Sequence, residues 1–280
     1  MTIPSKVGVL GGGRMGAGIA HAFLKAGAHV TVVDINDEAA QAAKARVEKA
    51  VKGSIDRGAP GTTEEWMARL NVSTNTNDFA DHELVVEAVP ESMELKTTAF
   101  GNIAAAAPEA VIATNTSSLS VTELAKTVDN DVIGLHFFNP VPASKLVEVV
   151  VAESTPDALV DTAREWVADL DKTAVVVKDA PGFASSRLGV AIALEAIRMV
   201  EEGVAEPRDI DNAMVLGYKF PIGPLELTDI VGLDVRLGIA EYLESTLGDR
   251  FAPPQLMRDM VARGELGRKS GKGFYDYNDK

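Results

Sequence analysis

Short apolar runs recur through the first two thirds of the chain, at residues 7–10, 30–33, 84–89, 111–114, 132–136, 146–151 and 174–177. Each is short enough and rich enough in β-branched residues to form a buried strand. The stretches between them change period. Ile19, Ala20, Phe23 and Leu24 give one apolar face at helical spacing, and Gly27 stops that helix. Residues 36–70 are helical, broken at Arg57-Gly58-Ala59-Pro60-Gly61 and reopened by the cap-like Thr62-Thr63-Glu64-Glu65. Residues 91–107 and 156–170 are helical as well. Strands alternating with helices predict an α/β domain with a largely parallel sheet. After Pro181-Gly182-Phe183 the strand period disappears. Val190, Ala193, Leu194, Ile197 and Val200 repeat at helical spacing, and Gly203 closes that helix. Pro207 suits a helix first turn. Leu216-Gly217, Gly223-Pro224 and Gly232 punctuate further helices to about residue 263, with no strand expected between 181 and the tail. The pattern therefore divides the chain into an α/β domain, 1–180, and an all-helical domain, 181–280.

The first strand runs into Gly11, Gly13 and Gly16 at G-x-G-x-x-G spacing, with Arg14 and Met15 opening the helix. Gly11 permits a tight turn, Gly13 lets backbone approach a pyrophosphate, and Gly16 lets helix and strand pack closely. A helix N-terminus offers unpaired N–H groups and a positive dipole end to phosphates. The second strand ends in Asp34, 23 residues after Gly11, where a carboxylate can accept from an adenosine ribose. Glycines also mark ordinary βαβ turns. Strand, loop, helix, strand and acid in this order favour a Rossmann-type dinucleotide-binding domain. Asp34 would repel a 2′-phosphate, and Ile35, Asn36, Asp37 and Glu38 supply no basic residue to accept one. The expected cofactor is NAD.

At 280 residues the chain can hold a full core. A formal net charge of −14 argues against a nucleic-acid or anionic-membrane partner. The absence of cysteine excludes disulfides, thiolate catalysis and zinc–thiolate sites. His21, His29, His82 and His136 have no metal-ligand spacing, so no metal is expected. No apolar run approaches 18 residues, and no span is expected. The first strand begins within a few residues of the N-terminus, leaving no room for a targeting segment. A cytoplasmic protein is the natural reading. Lys44, Arg46, Lys49, Lys52 and Arg57 lie in the long helical excursion, either as a solvated face or as a contact for a phosphate-bearing substrate.

His136 ends one strand and Glu148 interrupts the next. A turn between them could set the two side by side. A histidine oriented by a carboxylate is a suitable acid–base group near neutral pH, because the anion stabilises the imidazolium. Oxidising an alcohol with NAD needs such a base. The residues alone fit a structural histidine equally well. Asn115-Thr116-Ser117-Ser118 follows the 111–114 strand, where α/β sheets bind ligands.

The order of motifs resembles the short-chain L-3-hydroxyacyl-CoA dehydrogenase family, and within it the bacterial 3-hydroxybutyryl-CoA dehydrogenases. The resemblance rests on the Gly11–Gly16 loop, Val85-Val86-Glu87-Ala88-Val89-Pro90-Glu91, Asn115-Thr116-Ser117-Ser118-Leu119 and Gly134-Leu135-His136-Phe137-Phe138-Asn139-Pro140-Val141-Pro142. It continues through Lys145-Leu146-Val147-Glu148-Val149, Asp179-Ala180-Pro181-Gly182-Phe183, Gly223-Pro224-Leu225-Glu226-Leu227 and Gly267-Arg268-Lys269-Ser270-Gly271-Lys272-Gly273-Phe274-Tyr275. His-Phe-Phe-Asn-Pro followed by a glutamate twelve residues after the histidine is its most specific part. The resemblance implies that His136 is the catalytic base, Glu148 its orienting partner, and Ser117 a hydrogen-bond partner of the substrate oxygen. It implies NAD contacts from Asp34, Glu91, Lys96, Asn139 and Lys269. It further implies an acyl-CoA substrate and a homodimer through the helical domain. Val190, Leu194 and Ile197, with the helices around 225–240, read as more apolar surface than such a domain buries alone.

The chain departs from the family in two places. Ser186 stands where the family usually has asparagine, three residues after Pro-Gly-Phe. In the helical excursion, the positions of the family's CoA-contacting serine and lysine are best matched by Ala50, which has no hydroxyl, and Arg57, which can fork onto phosphate. Ser186 and Arg57 are therefore the expected substrate-side residues. Oxidation of a non-CoA hydroxy acid such as a sugar acid, and a non-catalytic dinucleotide-binding protein, are the competing readings.

Overall fold

β-Branched runs with no room for solvent on either face become the centre of a sheet, and amphipathic segments become the helices that cover it. The computed structural model describes residues 2–278 and divides into two compact units, Met1–Ala180 and Pro181–Lys280. In the first unit the strands are β1 (Lys6–Leu10), β2 (His29–Val33), β3 (Leu70–Ser73), β4 (Leu84–Glu87), β5 (Val111–Thr114), β6 (Val132–Phe137), β7 (Leu146–Val151) and β8 (Thr173–Lys178). They form one sheet in the order β3-β2-β1-β4-β5-β6-β7-β8. Neighbours from β3 to β6 are parallel. β7 runs antiparallel to β6, and β8 parallel to β7. The helices are α1 (Arg14–Lys25), α2 (Asp37–Ile55), α3 (Thr63–Met67), α4 (Met93–Ala106), α5 (Val121–Ala125) and α6 (Asp157–Asp169).

The excursion between β2 and β3 is helical as far as Met67, and α3 begins with a capping box between Thr62 and Glu65. Residues 70–73 correct the sequence reading, which carried helix to residue 70. They form β3, pairing Val30 with Leu70 and Val33 with Ser73. Four residues of weak alternation are too few for a period to show, and the edge of β2 supplies the order. The short α5 was likewise not expected.

In the second unit the helices are α7 (Ser185–Glu201), α8 (Pro207–Asn212), α9 (Pro224–Val231), α10 (Leu233–Leu247) and α11 (Gln255–Ala262). Among the described residues after 181 there is no strand, only isolated bridges joining Gly267 to Lys272 and Lys272 to Asp276. Val190, Leu194 and Ile197 are fully buried in the core of this unit with Ile210, Leu225, Leu243 and Met257. They are therefore not the apolar surface the sequence reading took them for. Large apolar residues that do reach solvent here include Leu188, Leu216, Tyr218, Ile230, Val231 and Val235.

α1 and α2 pack through a polar contact as well as apolar ones. His21 is buried, its Nε2 lies 2.8 Å from Ser54 Oγ, and its Nδ1 has no partner. Burial, with Lys25, Arg57 and Lys172 adding like charge, pulls the imidazole down to about 4. The unfolded chain takes up a proton near 6.5, where the folded one refuses it. His21 thus contributes fully to stability above pH 6.5 and loses that contribution as pH falls towards 4, an effect of about 3 kcal/mol. Urea unfolding across pH 4–7 should show this slope in the wild type and a shallower one in His21→Gln. Parallel pH profiles for the two proteins would contradict it.

Candidate active site

The chain turns at the end of β1, where the strand order reverses and open α/β sheets leave a crevice. Gly11 has φ 98°, and its N–H donates to Val33 O at 2.8 Å. A Cβ at Gly16 would sit 1.8 Å from Gly11 O, so α1 and the turn approach as only glycine allows. Gly13 is exposed, with no atom within 4 Å of where its Cβ would be. It caps α1 without a side-chain bond, and Arg14 beside it is exposed and Met15 half-buried. That uncovered helix start fits a pyrophosphate. Asp34 accepts from Gly12 N at 2.7 Å and from Ile35 N at 2.8 Å, which fixes the carboxylate at the end of β2. Gly12 is a residue that the sequence reading left without a role. A Cβ there would stand 2.3 Å from Ala43 Cβ and 3.1 Å from Asp34 Oδ2. The run of three glycines was its signal.

A buried polar network stands at the ends of β4 and β5. Glu87 is fully buried and accepts from Lys96 Nζ (2.7 and 3.0 Å), Val89 N (2.7 Å) and Thr114 Oγ1 (2.7 Å). Lys96 also donates to Val89 O at 3.2 Å and lies 3.5 Å from Glu91. It is 1% exposed. Its ammonium is thus turned inward, onto Glu87 and the Val89 carbonyl. The physical reason is Glu87, a carboxylate that cannot stay buried alone. Sequence reading passed over Glu87, although a lone acid in an apolar strand was a visible signal.

Glu91 gathers the loop after β5. Its Oε1 accepts from Thr116 Oγ1 (2.7 Å), Ser117 N (2.9 Å), Ser117 Oγ (3.1 Å) and Ser118 N (3.1 Å). Burial pushes this carboxyl up, but Lys96 and the Thr116 and Ser117 hydrogen bonds outweigh it and hold Glu91 below the ordinary carboxylate range. Ser117, half-buried, thus stands in a loop fixed by an anion.

β6 and β7 pair antiparallel with His136 directly opposite Glu148. His136 Nδ1 lies 2.8 Å from Glu148 Oε2, with the histidine 7% and the glutamate 1% exposed. The turn that makes this register is tied down by Lys172, whose ammonium donates to Val141 O at 2.6 Å and Ser144 O at 2.5 Å. Asn115 Oδ1 accepts from Phe137 N at 2.9 Å, joining the serine loop to the end of β6. Asn139 follows, exposed. Arg57 lies past the end of α2, exposed, with Nη2 3.5 Å from Ser54 Oγ.

Two expected site residues lie in the second unit. Ser186 is half-buried in the first turn of α7. Lys269 pairs with Asp234, its Nζ 2.5 Å from Oδ1, and an added Cβ on Gly232 would be 3.1 Å from that nitrogen. Among the described residues no group of His, Cys, Asp or Glu could hold a metal, and no helix is long and apolar enough to cross a membrane.

The family model for the 3-hydroxyacyl-CoA dehydrogenase NAD binding domain matches residues 6–180, and the model for the C-terminal domain matches 182–277. The chain belongs to the 3-hydroxyacyl-CoA dehydrogenase family. A probable 3-hydroxybutyryl-CoA dehydrogenase of Bacillus subtilis is 41% identical over 278 residues, covering 97% of each chain. The crystal structure of (S)-3-hydroxybutyryl-CoA dehydrogenase from Ralstonia eutropha superposes with a TM-score of 0.93 at 37% identity, over 99% of this chain and 100% of that one. The crystal structure of 5-formyl-3-hydroxy-2-methylpyridine 4-carboxylic acid 5-dehydrogenase, an NAD+ dependent dismutase, matches with a TM-score of 0.78 at 27% identity, over 99% and 92%.

The Glu87–Lys96 pair yields a direct test. Lys96→Met should destabilise the protein by about 3–5 kcal/mol, because it leaves a buried carboxylate unpaired. Adding Glu87→Met should recover at least half. Urea denaturation at pH 7 measures both, and a single variant within about 1 kcal/mol of wild type would refute the pairing.

Proposed function

We propose that this protein is an NAD-dependent dehydrogenase of short (S)-3-hydroxyacyl-CoA thioesters, (S)-3-hydroxybutyryl-CoA foremost, working in either direction. The observation that carries this is the in-register His136–Glu148 pair, in the same unit as a glycine turn and an acid suited to NAD. Glu148 holds the proton on Nδ1, so Nε2 carries the lone pair that accepts the hydroxyl proton. The buried carboxylate stabilises the imidazolium that results. NAD, when bound, supplies the hydride acceptor. Gly11, Gly13, Arg14, Met15 and Gly16 would hold its pyrophosphate, Asp34 its ribose. Glu91 and Asn139 follow the C-terminal ends of β4 and β6, and Lys269 is carried over as an NAD contact from the family resemblance alone.

Ser117 would polarise the oxygen of the reacting carbon. Its hydroxyl donates to Glu91 in this structure, so meeting substrate means exchanging that bond. Ser186 would take the place of the family's asparagine. It also donates and accepts, from a shorter side chain, and a bridging water can make up the reach. Arg57 would contact CoA phosphate. The exposed Leu188, Ile230, Val231 and Val235 suit a homodimer through the second unit, and a cytoplasmic setting suits a chain without cysteine. The second reading, a non-CoA hydroxy acid, draws support from the likeness to the pyridine-carboxylic-acid dehydrogenase. Turnover of acetoacetyl-CoA with NADH, set against free hydroxy acids, separates the two.

His136→Gln should slow the chemical step by about 10²–10⁴-fold with NADH affinity retained. A variant keeping half the wild-type rate would make the histidine structural. For the cofactor, NAD should exceed NADP in kcat/KM by at least tenfold, about 1.4 kcal/mol, and Asp34→Ala should narrow the gap. Equal use of both by the wild type would remove that role from Asp34.

A further inference from the structure

Among the described residues of the second unit, one buried charged side chain makes no hydrogen bond or ion pair. Arg236 lies in the first turn of α10 and is 6% exposed. Its Nε makes no hydrogen bond, and no carboxylate among the described residues forms an ion pair with it. The nearest acid in sequence, Asp234, is taken by Lys269. Burial, with no acid close enough to oppose it, pulls the guanidinium down to about 10. A positive charge in a helix first turn also faces the wrong end of the dipole.

The guanidinium lies against α7 at Gly189. A Cβ on that glycine would stand 3.4 Å from Arg236 Nη1. Glycine inside a helix is unfavourable, yet here its bare backbone makes room for the arginine. Gly189 shares a helix face with Ser185 and Ser186, four and three residues earlier. Leu188 and Val235, the exposed apolar neighbours, are each one residue away and so face elsewhere, which sets the arginine apart from the apolar surface. A buried cation with three disfavoured features and no anion paired to it among the described residues is suited to an anion from outside. The planar fork of arginine matches a carboxylate in two-point geometry.

We infer that Arg236 forms a carboxylate-binding subsite beside Ser186, and that the preferred substrate carries a carboxylate at the far end of its acyl chain. This rests on the thioester reading above, in which Ser186 faces the substrate. The substrate class is then the mono-CoA thioester of a 3-hydroxy dicarboxylic acid.

The test compares kcat/KM for 3-hydroxyglutaryl-CoA and 3-hydroxyadipyl-CoA with that for (S)-3-hydroxybutyryl-CoA, in wild type, Arg236→Gln and Arg236→Lys. The wild type should favour a dicarboxylic thioester by at least tenfold. That ratio should fall at least tenfold in Arg236→Gln and partly recover in Arg236→Lys, which also serves if the glutamine variant fails to fold. Calorimetric binding of CoA alone should be the same in all three proteins. A wild type that turns over acetoacetyl-CoA but shows no preference for the dicarboxylic substrates keeps the thioester reading and overturns this one. So does an equal loss on all substrates, weakened binding of CoA itself, or conversion of a dimer to a monomer in sedimentation, which would give the arginine to a second copy of the chain. A wild type active on free 3-hydroxyglutarate alone, with that activity lost in Arg236→Gln, retains the subsite and overturns the thioester reading.

Discussion

Two carboxylates stand inside the sheet of the first unit, and a buried carboxylate must be paired. Glu87 is fully buried and Glu148 1% exposed. Leaving either alone would cost several kcal/mol. Glu87 is answered by Lys96 from α4, Thr114 from β5 and the backbone of Val89. Glu148 is answered by His136 from the adjacent strand. These requirements reach beyond the pairs. Lys96 also stands by Glu91, Glu91 holds the serine loop, and Asn115 fastens that loop to β6. The polar end of the sheet is thus shaped by the need to leave no charge unanswered.

The second unit solves a like problem at its tail. Asp211 accepts from Leu225 N and Glu226 N at the start of α9, and from Tyr275 OH. Asp229, near the end of that helix, accepts from Phe274 N, Tyr275 N and Tyr277 OH. Burial pushes the Asp229 carboxyl up against those hydrogen bonds, and burial and then Asp229 push Tyr277 up to about 12. A Cβ on Gly273 would stand 2.0 Å from Asp229 Oδ1. This gives a physical reason for the glycine in Gly-Lys-Gly-Phe-Tyr: the tail docks through backbone N–H groups pressed onto a carboxylate. Against such well-answered acids, Arg236, buried in the same unit with its Nε unbonded, is an exception.

Sequence reading recovered most of this because its signals are local. A run of four to six apolar residues, a glycine turn and an acid at the end of the next strand each depend on near neighbours. Seven of the eight strands, the change to helix near residue 180 and the candidacy of His136 and Glu148 all came from such signals. The dyad stayed ambiguous there, since a separation of twelve residues neither requires nor forbids contact between a histidine and a glutamate.

What the sequence could not supply is pairing at a distance. β3 is a strand because β2 offers it an edge, not because Leu70-Asn71-Val72-Ser73 prefers one. Val190, Leu194 and Ile197 are core because other helices cover them. Lys96 is turned inward by Glu87, nine residues before it, and Ser117 is tethered by Glu91. The reversal of β7 puts His136 opposite Glu148, and it is set by a turn pinned from Lys172. Local pattern names the elements and the candidate chemistry. Which side chains face each other depends on long-range packing and on the cost of an unpaired buried charge, and neither has a period along the chain.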